Sequence, residues 1–283
     1  MAEKFIVKTE DKLLEFLFKT LQGWSKKKIK ERLKNATVAI NGSVSTKHDF
    51  PLNINDVVEV GVIQKERAST IRSLEILYQD KEIIAIHKPA GLLSVGTAKE
   101  NKQHALAILR EQLSKKGKRI TLFPVHRLDR ETSGVLLFAT SKELREAVMS
   151  KWNVSKKIYL AVVKGTPKEN KGTINQPLRL DEKEYKMHVG EHPKAKKAIS
   201  HYSVRESKQH TSLVEVSIET GRQHQIRAHL SWLGNPVIGD ERYGVKGERM
   251  GLHATRLSIV HPKSKKTLTF NVDADQSFYT LLT

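Results

Sequence analysis

The chain has 283 residues, with 50 lysines and arginines against 31 aspartates and glutamates, a formal charge of +19 and no cysteine. That length accommodates one large domain and one small one, and the charge calls for a polyanionic partner, RNA before any other. The composition excludes disulfides, thiolate nucleophiles and cysteine-based zinc sites; no run approaches the roughly 20 apolar residues of a membrane span, and MAEKFIVKTE has no signal-peptide core, so a cytoplasmic protein without membrane contact is expected.

The first 62 residues read as a small α/β domain. Leu13, Leu14, Phe16, Leu17 and Leu21 give an apolar helix that stops at Gly23, and Ser25 opens a second. In that second helix Ile29 and Leu33 share one face, while Lys26, Lys30 and Lys34, with Lys27 beside them, form a cationic stripe. A charge run of this kind is commonly a solvated face; the scarcity of intervening acids makes it a candidate RNA contact. Asn41-Gly42 signals a hairpin, and Asn55-Asp56 turns into the strand Val57–Val60. Residues 63–73 are polar and aperiodic and read as a linker to a second domain, 74–283.

That larger part is expected to be α+β, built on a mixed, mainly antiparallel sheet. Short β-rich runs recur at Ile83–Ile86, Val135–Ala139, Ile158–Val163, Leu213–Ile218 and Leu268–Val272, with few helices between them. One helix is expected over residues 103–113 and another from Thr140, with Glu143 completing a capping box. A third, around Gln225-Ile226-Arg227, presents Ile226, Leu230 and Leu233 to the core and ends at Gly234.

The stretch HRLDRETSGVLLFAT at 126–140 places one acid, Asp129, among His126, Arg127 and Arg130, just before a buried strand. Neighbouring cations favour the ionised carboxylate, which is then a candidate nucleophile. An arginine partner or a cap for the Thr132-Ser133 turn fits the spacing equally well. The 12 histidines offer no strong metal-ligand spacing, so no metal is expected.

HRLDRETSGVLLFA resembles the signature loop of the RluA-type pseudouridine synthases. IIAIHKPAGLLS (83–94), KKIYLAVVKG (156–165), TGRQHQIRAHLSWLGNPVIGDERYG (220–244) and LHATRLSIVHP (252–262) resemble further motifs of that family, in its order. Residues 11–60, two short helices and then VAINGSVSTKHDFPLNINDVVEV, resemble the α-L RNA-binding domain first described in a small-subunit ribosomal protein, although Asp11-Lys12-Leu13-Leu14-Glu15 departs from that domain's usual opening.

The resemblance implies isomerisation of uridine to pseudouridine in structured RNA, without a cofactor. Large-subunit ribosomal RNA is the expected target and transfer RNA the alternative; the enzyme is expected to be a monomer. It implies that Asp129 acts at the ribose anomeric carbon, that Tyr159 stacks on the flipped uracil and serves in proton removal from carbon 5, and that Arg227 pairs with Asp129. For substrate binding it implies Arg127 as a wedge or base clamp, with His126 and Arg130 beside it, Leu252 against the base, and Arg222 and His224 at the RNA backbone. A binding protein that has lost turnover and a metal-dependent RNA hydrolase are the competing readings. Retention of Asp129, Tyr159 and Arg227 together speaks against the first, and the lack of clustered acids against the second.

Overall fold

The computed structural model describes residues 3–34, 37–41, 43–61, 71, 73–97, 100, 103–114, 120–244 and 246–283. The chain divides into two compact units, Met1–Thr70 and Ile71–Thr283. Most of the expected linker, and Gly42 of the expected hairpin turn, lie outside the described residues.

In the smaller unit, helices Leu13–Thr20 and Lys26–Lys34 accompany an antiparallel sheet of Glu3–Ile6, Val57–Val60, Val38–Ile40 and Ser43–Val44, in that spatial order. Ser25 Oγ accepts the Lys28 amide at 3.2 Å, satisfying one of the free N–H groups at the second helix start. Ile29 and Leu33 join Leu13, Leu17, Val38 and Val58 in the core, which turns the lysine face outward. Asn41, at φ +49°, ties two turns together: its amide donates to Asp56 and its carbonyl accepts from Val57 N–H, both at 2.8 Å.

The larger unit carries, in chain order, β1 (Glu75–Gln79), β2 (Ile83–Lys88), α1 (Ala105–Leu113), β3 (Phe123–Pro124), β4 (Ser133–Ala139), α2 (Lys142–Met149), β5 (Lys156–Lys164), β6 (Lys171–Asn175), β7 (Leu178–Asp181), β8 (Lys186–Val189), β9 (Ile199–Ser207), β10 (Thr211–Ile218), α3 (Gln225–Trp232), β11 (Leu252–Val260), β12 (Thr267–Asn271) and α4 (Gln276–Tyr279). Ten strands form one sheet along the path β6-β9-β10-β5-β11-β4-β2-β1, with β12 on β11 and β3 on β4, while β7 and β8 make a separate hairpin. The sheet is mixed and mainly antiparallel. Among the described strands, β4 and β11 are the pair that runs parallel, touching at Ser133 and Gly134 opposite His253 and Ala254.

Burial explains the central strands. β4 is buried along all seven residues, with Leu136 and Phe138 in one core and Val135 and Leu137 in another on the opposite face. Each such side chain contributes about 1.5–3 kcal/mol. The cap of α2 is Ser141 rather than the expected Thr140: Ser141 Oγ accepts the Leu144 amide, whereas the Thr140 hydroxyl donates to the Lys81 carbonyl at 2.7 Å. Among the described residues no helix is long and apolar enough to cross a membrane.

The parallel junction requires a glycine. Gly134 sits at φ +120°, and a Cβ there would lie 2.2 Å from the Ala254 carbonyl oxygen. Gly134→Ala is therefore expected to cost about 2–4 kcal/mol of unfolding free energy in urea titration; a cost under about 0.5 kcal/mol, the size of an ordinary surface substitution, would contradict this packing.

Candidate active site

Helix α3 is anchored before it begins. Gln225 Oε1 accepts from Thr220 Oγ1 and the Arg222 amide, and its Nε2 donates to the Ile199 carbonyl and Ser200 Oγ, so the helix start is fixed to β9. One turn on, Ile226 and Leu230 pack with Val214, Val216 and Leu252. That packing aims Arg227 at two carboxylates. Its Nε and Nη2 donate to Asp240 Oδ2 and Oδ1 at 2.6 and 2.8 Å, and Nη1 donates to Asp129 Oδ2 at 2.9 Å.

Asp240 is wholly buried, and its Oδ1 also accepts the Arg242 and Tyr243 amides at 3.0 and 3.1 Å. Burial pushes its carboxyl up, but the hydrogen bonds and charge of Arg227 outweigh that and hold it below the usual carboxylate range. Burial works against the guanidinium too, and Asp240 with Asp129 raise it further than burial lowers it. Arg227 stays charged at any working pH.

The loop bearing Asp129 is clamped on both sides. Ser94 Oγ donates to the Leu128 carbonyl at 2.7 Å and accepts the Leu128 amide at 2.9 Å. Lys88, fully buried, donates from Nζ to the carbonyls of Pro89, Leu92 and Arg130 at 2.9, 2.7 and 3.0 Å. Burial pushes the Lys88 amine down to about 7, yet three acceptors match the three hydrogens of an ammonium, and we read the group as protonated. Between these clamps the Asp129 carboxylate stays 29% exposed. It opens on a cleft of about 860 Å³, whose walls include Arg130, His224, Arg227, Arg242 and Arg249.

Tyr159 lies where the pairing of β5 with β11 shifts register, between Ile158 and Leu160, the kind of irregularity that re-aims a side chain. It packs against both inner cores, and burial first, then the charge of Asp129, raises its hydroxyl above the ordinary tyrosine value. His224, at φ +49° just before α3, holds Nε2 at 3.8 Å from Asp129 Oδ1.

The structure thus brings Asp129, Arg227, His224 and Arg130 to one cleft, with Tyr159 close enough to feel the Asp129 charge. The cation bound to Asp129 is Arg227, not the sequence neighbours Arg127 and Arg130. Arg127 is exposed, and exposed Arg222 donates from Nε to the Lys197 carbonyl at 3.0 Å. Leu252 is a core residue, paired with Ala161 and 4% exposed. His126 Nε2 accepts the Leu137 amide at 3.2 Å and its ring lies against Trp152. In the smaller unit Lys26, Lys27, Lys30 and Lys34 line one concave surface with Thr46 and His48.

Reading residues alone missed Asp240, Lys88, Tyr243 and Ser94. All four lie inside the quoted motifs, but none stands near Asp129 in sequence. Asp80, Glu82 and His261 also cluster at ligand distances. His261 Nδ1 accepts the Ser264 amide at 3.0 Å, leaving Nε2–H to donate to Asp80 at 2.9 Å, so the trio already forms a hydrogen-bonded brace between two turns.

The site is thus a carboxylate gripped by a guanidinium, at a cleft lined by charges of both signs beside a mixed sheet. A family model described as RNA pseudouridylate synthase matches residues 82–232. The dual-specificity RNA pseudouridine synthase RluA of Vibrio cholerae is 33% identical, over 71% of this chain and 83% of its own. The tRNA pseudouridine synthase C of Haemophilus ducreyi is 34% identical, over 74% and 94%. Among solved structures, human RNA pseudouridylate synthase domain containing 4 superposes with a TM-score of 0.60 at 26% identity, covering 74% of this chain and 91% of that one. The chain belongs to the RNA pseudouridylate synthases, in their RluA-type family, and is an isomerase acting on RNA.

Two histidines set against the sheet give the unit an acid limit. Burial pushes His126 and His253 down to about 4. Unfolding restores a value of about 6.5, so between pH 6.5 and 4 the unfolded chain binds more protons, and stability is lost as pH falls by up to about 1.4 kcal/mol per unit per histidine. In urea titrations across this range, His126→Gln is expected to flatten the slope by about one proton. An unchanged slope would show that His126 is charged in the folded protein.

Proposed function

We propose that Asp129 is the carboxylate that acts at the anomeric carbon of a flipped uridine, with Arg227 as its fixed counter-ion and Tyr159 as the group that stacks on the uracil and takes part in removing the carbon 5 proton. Pseudouridine formation breaks the bond from uracil nitrogen 1 to the sugar, turns the base and joins carbon 5 to the same sugar carbon. A proton leaves carbon 5 and one is gained at nitrogen 1, so no redox partner is consumed. Positive charge gathers on the sugar during departure, and a preorganised carboxylate lowers that barrier. The observation that carries this reading is the 2.9 Å bond from Arg227 Nη1 to Asp129 Oδ2, which leaves Oδ1 facing the cleft. A paired uridine reaches the cleft only by leaving its stack, and an arginine head such as that of Arg127 suits the vacated space.

The target proposed is large-subunit ribosomal RNA, in the cytoplasm, with the enzyme acting as a monomer. Residues 1–62 are read as an α-L-like RNA-binding domain, residues 63–73 as the linker and residues 74–283 as the synthase domain. The support is the lysine face of the smaller unit, a surface suited to the phosphates of a large structured RNA. The 34% identity to a protein named for tRNA favours transfer RNA as the second reading. Comparing pseudouridine maps of both RNA classes from cells with and without the protein decides between them.

Asp129→Asn is expected to abolish tritium release from [5-³H]uridine RNA while RNA affinity stays within about three-fold, because phosphate contacts supply most of the binding. An affinity loss as large as the activity loss would overturn the assignment. A folded chain of residues 71–283 is expected to keep its turnover number, with KM for folded RNA rising about ten-fold or more. Loss of turnover at saturating RNA would contradict the division of labour.

A further inference from the structure

Asp129 offers two oxygens, and Arg227 holds only one of them. The group facing the other is His224 Nε2, 3.8 Å from Oδ1, on a side chain only 10% exposed. What that nitrogen can do depends on which ring nitrogen carries the proton. The opposite nitrogen, Nδ1, lies 3.1 Å from the hydroxyl of Tyr243, and the same hydroxyl oxygen accepts the Met187 amide at 2.7 Å. Tyr243 is 8% exposed, and burial lifts its hydroxyl to about 12, so it keeps its hydrogen. With Met187 occupying a lone pair, His224 Nδ1 is the acceptor that this hydrogen meets. The alternative tautomer would leave a buried hydroxyl hydrogen without a partner and turn an Nε2 lone pair toward a carboxylate, and the first alone costs about 1–3 kcal/mol.

We infer that His224 is a positioning residue for the reaction: a relay from Met187 N–H through Tyr243 O–H fixes it as the Nε2–H tautomer, which donates to Asp129 Oδ1 when a nucleotide fills the cleft. The inference rests on the reading of Asp129 as the acting carboxylate. A gap of 3.8 Å is longer than a hydrogen bond, and active-site contacts of this kind shorten in the loaded complex. His224 is suited to the task by its backbone. Its left-handed φ of +49° at the start of α3 swings the ring over the carboxylate that Arg227, three residues on, holds from the other side. Tyr243 joins the two braces, since its ring lies under the Arg227 guanidinium at 5.2 Å and its amide binds Asp240. Arg227 supplies charge and His224 a neutral donor, so both oxygens are held in one rotamer without a second cation at the carboxylate.

The test combines kinetics with the spectrum of the imidazole. His224→Ala is expected to lower kcat about 10- to 100-fold, with RNA affinity within about three-fold. His224→Gln, which keeps a side-chain N–H donor, is expected to recover most of that loss. In ¹H–¹⁵N spectra of the free enzyme at neutral pH, His224 should show a protonated Nε2 and a bare Nδ1, and Tyr243→Phe should admit the other tautomer and lower kcat. A bare Nε2, a kcat unchanged by His224→Ala, or a glutamine variant no better than alanine would each overturn the inference. If Asp129→Asn retains turnover, the reading beneath it fails; if that variant is inactive while His224→Ala is fully active, this inference alone fails.

Discussion

The arrangement depends on one guanidinium with two carboxylates. Taking an arginine out of water costs several kcal/mol unless its hydrogens are matched, and Asp240, itself without solvent exposure, matches two of them in a bidentate pair. Asp240 neutralises Arg227 and is itself held by two backbone amides. Asp129 is then the additional charge: the trio sums to one negative unit, and Asp129, 29% exposed against 10% for Arg227 and none for Asp240, is its most accessible member. A chain of +19 thus keeps a localised negative centre, placed where the proposed reaction develops positive charge on a sugar, while its net charge favours approach of RNA.

Fold and site are linked through the loop that carries Asp129. Its clamps, Ser94 and Lys88, come from the segment that ends β2, and its exit is the parallel contact of β4 with β11, where Gly134 has no room for a side chain. Ser133, beside that glycine, shares a 2.8 Å hydrogen bond with His253 Nδ1 of β11. Residues far apart in sequence therefore fix a short stretch of backbone before Arg227 touches it. Positioning of this kind needs no rearrangement at the moment of reaction, which is the source of its electrostatic effect.

Periodicity made the buried strands and the helix of Arg227 legible, because alternation and 3.6-residue spacing are local properties. The antiparallel character of the large sheet was likewise readable from Val214, Val216 and Ile218. The parallel contact of β4 with β11 was not, since nothing in SGVLLFA states which strand it meets, and the strands of the β7–β8 hairpin, four residues each, are too short to declare themselves. Asp129 and Arg227 were nameable through motif resemblance. The contacts of His126 with Leu137 and Trp152 were not readable, because adjacency in sequence says nothing about the side to which a ring turns in a loop. Asp240 was overlooked for the complementary reason: its importance lies in a contact with a residue 13 positions earlier, across a turn.

The most direct measurement is the turnover number of Asp240→Asn with saturating RNA. That substitution keeps the size of the side chain and one acceptor oxygen but removes the charge that holds Arg227. If the shared guanidinium organises the centre, kcat falls about 100-fold or more while the variant folds and binds RNA nearly as tightly as the parent. A folded variant with undiminished kcat would show that Asp129 is placed without this support, and the account given for the site would be wrong.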